Sequence, residues 1–370
     1  QLRWALDAGC PRNGWVCAAV ARCGRLRLLQ FARDSGCRWD EKTCAAAAAG
    51  GHLAVLRWAH EQGCLWSGWT CEAAAEGGHL QVLKFARERG CLWDERTCIG
   101  AARGGHLPVL KFAFEAGCPI SDRACSAAAA GGHLEVLQWA RHRGCPFSPR
   151  TAAAAAAGGH LAMLRWACGD GCPVDADACA NAAARGHLAV LRWLREEARA
   201  PWDARTCAAA ARGGHLHRVL EWARAAGAPW DAAMAAAAAA RGRLRVLRWA
   251  HDRGCPMDER TCANAAGGGH LELLRWAREH GAPWDARTCS AAAARGHLRA
   301  LQWARASGCP WDADCCSRAA AGGYLECLRW ALEEGGCPWD GGACLRLAAG
   351  NCQYKVLRYI KARICEEHGW

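Results

Sequence analysis

The chain has 370 residues, 47 of them basic and 35 acidic, giving a net charge of +12. No apolar run approaches the ~18 residues of a membrane-spanning helix and no segment reads as a secretory leader, so a bilayer protein is excluded as the first reading. The 27 cysteines would suggest a disulfide framework in a short secreted chain, but in this setting they point to a reducing intracellular compartment, cytoplasm or nucleus.

A repeated Gly-His-Leu sets the period. Histidine falls at His52, His79, His106, His133, His160 and His187, each 27 residues from the last. The series continues through His215, Arg243, His270, His297 and Tyr324, and Arg25 and Gln353 extend it at either end. Extra residues within Glu196–Ala200 and near His217-Arg218 predict local irregularities there. About thirteen units result, which makes residues 1–370 one array. Gln1-Leu2-Arg3-Trp4-Ala5 matches the middle of a second helix, so the array is expected to be part of a longer protein.

Within one unit the elements follow in order. A Gly-Cys or Gly-Ala turn comes first, often followed by proline, which cannot continue the preceding helix. A capping slot follows, filled by Asp, Ser or Asn in every unit, from Asn13 and Asp40 to Asp340. The residue before it is Trp in eight units, and with Cys or Ala four residues after the cap it reads as a hydrophobic staple. The first helix is alanine-rich, as at Ala45–Ala49, and a Gly-Gly or Arg-Gly turn ends it. The second helix reads His-Leu-x-Val-Leu-x-Trp-Ala; its wide apolar stripe (Leu53, Val55, Leu56, Trp58, Ala59) suits a helix sandwiched between neighbours. Neither helix is long enough to hold a core alone, so the expected fold is all-α, a helix–turn–helix repeat solenoid. Residues 354–370 are richer in charge and are expected to cap the stack.

The run Ala-Ala-x-x-Gly-His-Leu-x-Val-Leu, with Gly-Cys or Gly-Ala eleven residues after the histidine, resembles the ankyrin repeat. The resemblance covers the chain from about Leu2 to about Lys361. It implies stacked helix pairs and a role in binding other proteins. Two departures stand out. The unit is 27 residues rather than 33, the missing six falling where that family builds its β-hairpin finger, and Thr-Pro-Leu-His is replaced by residues such as Lys42, Thr43, Cys44 and Ala45. A shortened variant without the finger is therefore expected, and finger-borne contacts are not carried over.

Candidate chemistry is thin. Adjacent ladder histidines should stand about 10 Å apart, too far for zinc, whose ligands lie about 2.0–2.3 Å from one centre. The cysteines form two ladders, Gly-Cys (Cys37) and Thr-Cys (Cys44), with no Cys-x-x-Cys. Their replacement by alanine marks them as packing thiols rather than bridges. No phosphate-binding loop or nucleophile setting is present, so no cofactor, no metal and no catalysis are expected. The expected function is a non-catalytic scaffold for another protein, with acidic partners favoured by the charge. Nucleic acid or another polyanion is the alternative, through arginine bands at Arg57, Arg165, Arg192, Arg248, Arg275 and Arg329 and at Arg96, Arg150, Arg205, Arg260 and Arg287. A substrate-recruiting region of a larger enzyme is the third. On the first helix, the positions one and two after the cysteine should face solvent on the inner side. There Glu72, Ile99, Asn181, Asn264, Arg318, Leu345 and Arg346 break the alanine pattern and are the candidate partner-binding residues.

Overall fold

A computed structural model describes residues 11–368, so the expected opening half-repeat at Gln1–Ala5 lies outside the described residues. Among these residues there are thirteen helix pairs and no strand. They divide into two compact units, Gln1–Ala182 with Ala189–Pro201, and Ala183–Leu188 with Trp202–Trp370.

In the first unit the alanine-rich first helices lie side by side: Gly14–Arg22, Glu41–Ala49, Gly68–Glu76, Glu95–Gly104, Asp122–Gly131 and Pro149–Gly158. The second unit repeats the arrangement from Ala204–Gly213 to Gly341–Gly350. Alanine keeps the backbones close. Cys44, Ala47 and Ala48 are completely buried, as are Leu56 and Ala59 of the second helix Leu53–Glu61.

The turn after each first helix explains the histidine ladder. Nε2 of His52, His79, His133, His160 and His215 lies 3.0–3.3 Å from the carbonyl oxygen of Arg22, Ala49, Arg103, Ala130 and Ala184, near the end of the preceding repeat's first helix. The ring N–H donates to an oxygen that the helix leaves without an internal partner. Room for the ring is made by glycine. Gly78 sits at φ +77, and a Cβ there would stand 2.6 Å from the His106 ring.

The caps divide by residue type. Asp40, Asp94, Asp203, Asp231, Asp258, Asp285 and Asp312 each accept from the amide two residues on, at 2.9–3.1 Å. Ser67, Ser121 and Ser148 do not, contrary to the sequence expectation, and their hydroxyl oxygens are buried without a partner.

A second set of hydroxyls is also unpartnered: Thr43, Thr70, Thr97, Thr151, Thr206, Thr261 and Thr288, all fully buried. Burying a hydroxyl unpaired costs about 1–3 kcal/mol, and valine has the same shape without that oxygen. Thr97→Val is therefore expected to raise unfolding stability by about 1 kcal/mol in urea titration. A lowered midpoint would show that the hydroxyl is bonded after all.

The two extra residues lie where irregularity was expected. Arg199 takes the turn slot of glycine and has φ 51, and Leu216–Leu220 forms a π-helical turn before Glu221–Ala225.

Candidate functional site

The N′ aromatics pack differently from the expected staple. Trp39 meets Trp58 edge-on at 5.6 Å between ring centroids, and Trp202–Trp222, Trp230–Trp249 and Trp284–Trp303 repeat the contact at 5.8–5.9 Å. The partner is the second-helix aromatic of the same repeat, which is large enough to match an indole where the N4 Cys or Ala is not. An arginine closes the stack from the preceding second helix. Arg33 stands 4.1 Å over Trp39 and donates to the Cys37 carbonyl at 2.8 Å; Arg278 does the same over Trp284 and to Ala282.

The thiols pair at a spacing of 20, because the start of the first helix faces the end of the antiparallel second helix. Cys125 and Cys145 are 2.7 Å apart at sulfur, and Cys145 also donates to the Ser121 carbonyl at 3.1 Å. The hydrogen bond that Cys125 donates to Cys145, then burial, push the Cys125 thiol up. Among the described residues the cysteines form no disulfide. Among the described residues no group of three or more His, Cys, Asp or Glu could hold a metal ion.

The first-helix face is more closed than the sequence suggested. Ala208, Ala235, Ala236 and Ser290 are all less than a tenth exposed, because neighbouring first helices approach so closely. Of the candidate residues, Glu72 and Leu345 are half-buried and Arg318 and Arg346 exposed, while Ile99 is only 6 % exposed. The amides of Asn181 and Asn264 donate to the carbonyls of Ala153 (3.4 Å) and Ala236 (3.1 Å) in the preceding repeat, and Arg318 pairs with Asp314 on its own helix.

Two of the seven come together. Ile99 and Asn181 line a cleft of about 480 Å³ in the first unit with Arg103, Arg123, Arg150, Asp175 and Asp177. Glu72, Asn264, Arg318, Leu345 and Arg346 are not part of it. Arg103 and Arg123 were not singled out from the sequence, though for Arg123 the signal was present in its cap. Where the cap is aspartate, the arginine two residues on folds back to it, as in Arg205–Asp203 and Arg260–Asp258, both 2.7 Å. Serine at 121 and 148 offers no such carboxylate. Arg123 then reaches Glu95 of the preceding repeat at 3.0 Å, Arg103 reaches Glu76 at 3.3 Å, and Arg150 makes no ion pair.

The second-helix arginines are partly occupied. Arg57, Arg248 and Arg275 lie 5.4–5.9 Å over Phe85, Trp276 and Trp303 of the next repeat, and Arg165 pairs with Glu197 at 2.9 Å. Their stems cover rings while their heads stay in water.

Comparison with known proteins adds a family and two structures. Residues 262–305 match the family described as ankyrin repeats (many copies). No curated protein matches the sequence. Among solved structures, the chain is similar to the pentatricopeptide repeat protein PPR10, solved in complex with an 18-nt psaJ RNA element, at 13% identity and a TM-score of 0.38. That match covers 94% of this chain but only 63% of PPR10, less than two thirds of its length. It is also similar to the human ASB11 ankyrin repeat domain, at 20% identity and a TM-score of 0.35, over 43% of this chain and 84% of that one. The segment 262–305 is made of the same unit that recurs along the array, so the repeat is ankyrin-like, in a shortened 27-residue form with no strand among the described residues.

Proposed function

We propose that the array, read as one continuous scaffold over 1–370 with 354–370 as its polar cap, is non-catalytic and binds another protein within the cell, in cytoplasm or nucleus. The observation that carries this reading is the cleft of the first unit. It joins an apolar floor at Ile99 to a cationic wall in which Arg150 lacks an ion pair, a pattern that suits an acidic segment of a partner. Asn264, Arg318 and Arg346 are proposed as a separate contact on the first helices of the second unit. A polyanion reading is favoured by the charge of +12 alone.

The test is affinity capture on the immobilised chain from nuclease-treated extract, with cross-links mapped on the captured protein. Cross-links are expected on first helices, with Arg150→Glu weakening the complex at least tenfold and joint alanine substitution of Asn264, Arg318 and Arg346 weakening it further. If single-stranded RNA instead binds more tightly than any protein, with affinity falling steeply as salt rises, the polyanion reading replaces this one.

A further inference from the structure

The array departs from its own rule most sharply in one place. At the turn beginning the second helix Leu244–His251, the ladder histidine is replaced by Arg243, while the preceding repeat carries the π-helical turn Leu216–Leu220. Single π turns inside helical proteins concentrate at functional sites. Arg243 keeps the histidine's place, its guanidinium lying about 3 Å from where a Cβ on Gly214 would sit, but it makes no hydrogen bond of the ladder type. With Arg245 and Arg248 it lines a cavity of about 530 Å³ floored by Leu216 and Val246. Among the described residues none of the three arginines forms an ion pair, and Glu272 is the one carboxylate on the rim. Three planar, permanently charged forks around one space match a doubly charged tetrahedral anion, which accepts two parallel N–H bonds from each.

We propose that this cavity binds a phosphate monoester on a partner protein, a phosphorylated serine or threonine, and so gives the scaffold a phosphorylation-dependent contact. The inference rests on the protein-binding reading above. The residues that later repeats hold at the same helix position favour a protein source over a nucleic-acid backbone. Arg218 and Arg245 are succeeded by Glu272, so this column turns acidic after two repeats. The Arg248 column continues at Arg275, but Arg275 lies outside the cavity and over Trp303. A phosphodiester backbone, by contrast, carries one charge per nucleotide and is repelled by a carboxylate in its path. The three arginines of the cavity suit an isolated dianion.

The experiment uses the full chain and two fluorescent degenerate nonapeptide libraries, with central phosphoserine or serine, read by anisotropy. The phosphorylated library is expected to bind at least tenfold more tightly. Arg243→His, Arg245→Ala and Arg248→Gln should each reduce that preference, and the triple variant should abolish it. Each introduces the residue that other repeats hold in the same slot, as at His270, Ala189 and Gln302, so the fold has already accommodated it. Arg299→Glu, one repeat beyond Glu272, should leave the preference intact. Equal binding of the two libraries would overturn the proposal, as would Arg299→Glu acting as strongly as the triple variant, which would indicate a long polyanion track. If the libraries bind equally while the captured protein still cross-links to the first helices, the scaffold reading survives and the phosphate site does not.

Discussion

Raising the pH from 9 to 11 is expected to unfold the array cooperatively and reversibly. Burial pushes six thiols up from 9.0: Cys17, Cys172, Cys207, Cys255 and Cys327 to about 11, and Cys262 to about 12. All six are at most 5 % exposed. A thiol whose pKa is raised in the folded state contributes its full stability below the unfolded value. That contribution falls as the unfolded chain ionises first, and it is gone once pH passes the folded value. Each loses about 1.4 kcal/mol per pH unit across the window. Four of the six lie in the second unit, so its loss by pH 11 is on the order of 10 kcal/mol, comparable to the whole stability of a domain. Joint Cys207→Ala and Cys262→Ala substitution, using the residue found at Ala152, should move the alkaline midpoint upward in far-ultraviolet circular dichroism. An unchanged midpoint would mean that the thiols are not what fails.

Leu110→Ala carries the second large effect. Leu110 belongs to the second helix Leu107–Glu115, is completely buried, and occupies a slot held by leucine in every repeat. Removing three buried carbons and leaving a partly collapsed space costs about 2–5 kcal/mol. In a stack held by neighbour contacts, the damage is expected to split the urea transition rather than only shift it. Leu92→Ala makes the contrast, since Leu92 is 76 % exposed and should change stability by less than about 0.5 kcal/mol. Similar effects at both positions would show that burial in the stack is not the source of stability.

The helices, their turns and the two irregular repeats were legible in the sequence because each depends on neighbours in the chain. Glycine at the turns, aspartate at the caps and apolar residues at helical spacing act locally. What could not be read depends on distances across the helix pair. The thiol partners 20 residues apart and the indole meeting an aromatic 19 residues on both stem from how antiparallel helices face each other. The candidate site was legible in part. Asn181 and Ile99 stood out as departures from alanine, but Arg123 gains meaning only beside its cap serine, and Arg103 only through its place in the cleft. Burial of Ile99 could not be foreseen, since it reflects how closely alanine-faced helices approach.

The histidine ladder has an implication for how such a chain can lengthen or shorten. The oxygen accepting each Nε2–H belongs to the backbone, which is the same whatever side chain sits there: Arg22, Ala49, Arg103, Ala130 and Ala184 all serve. The joint between successive copies is thus indifferent to which copy comes next. Gene duplication or loss of whole 27-residue blocks would join compatible ends without compensating changes on either side.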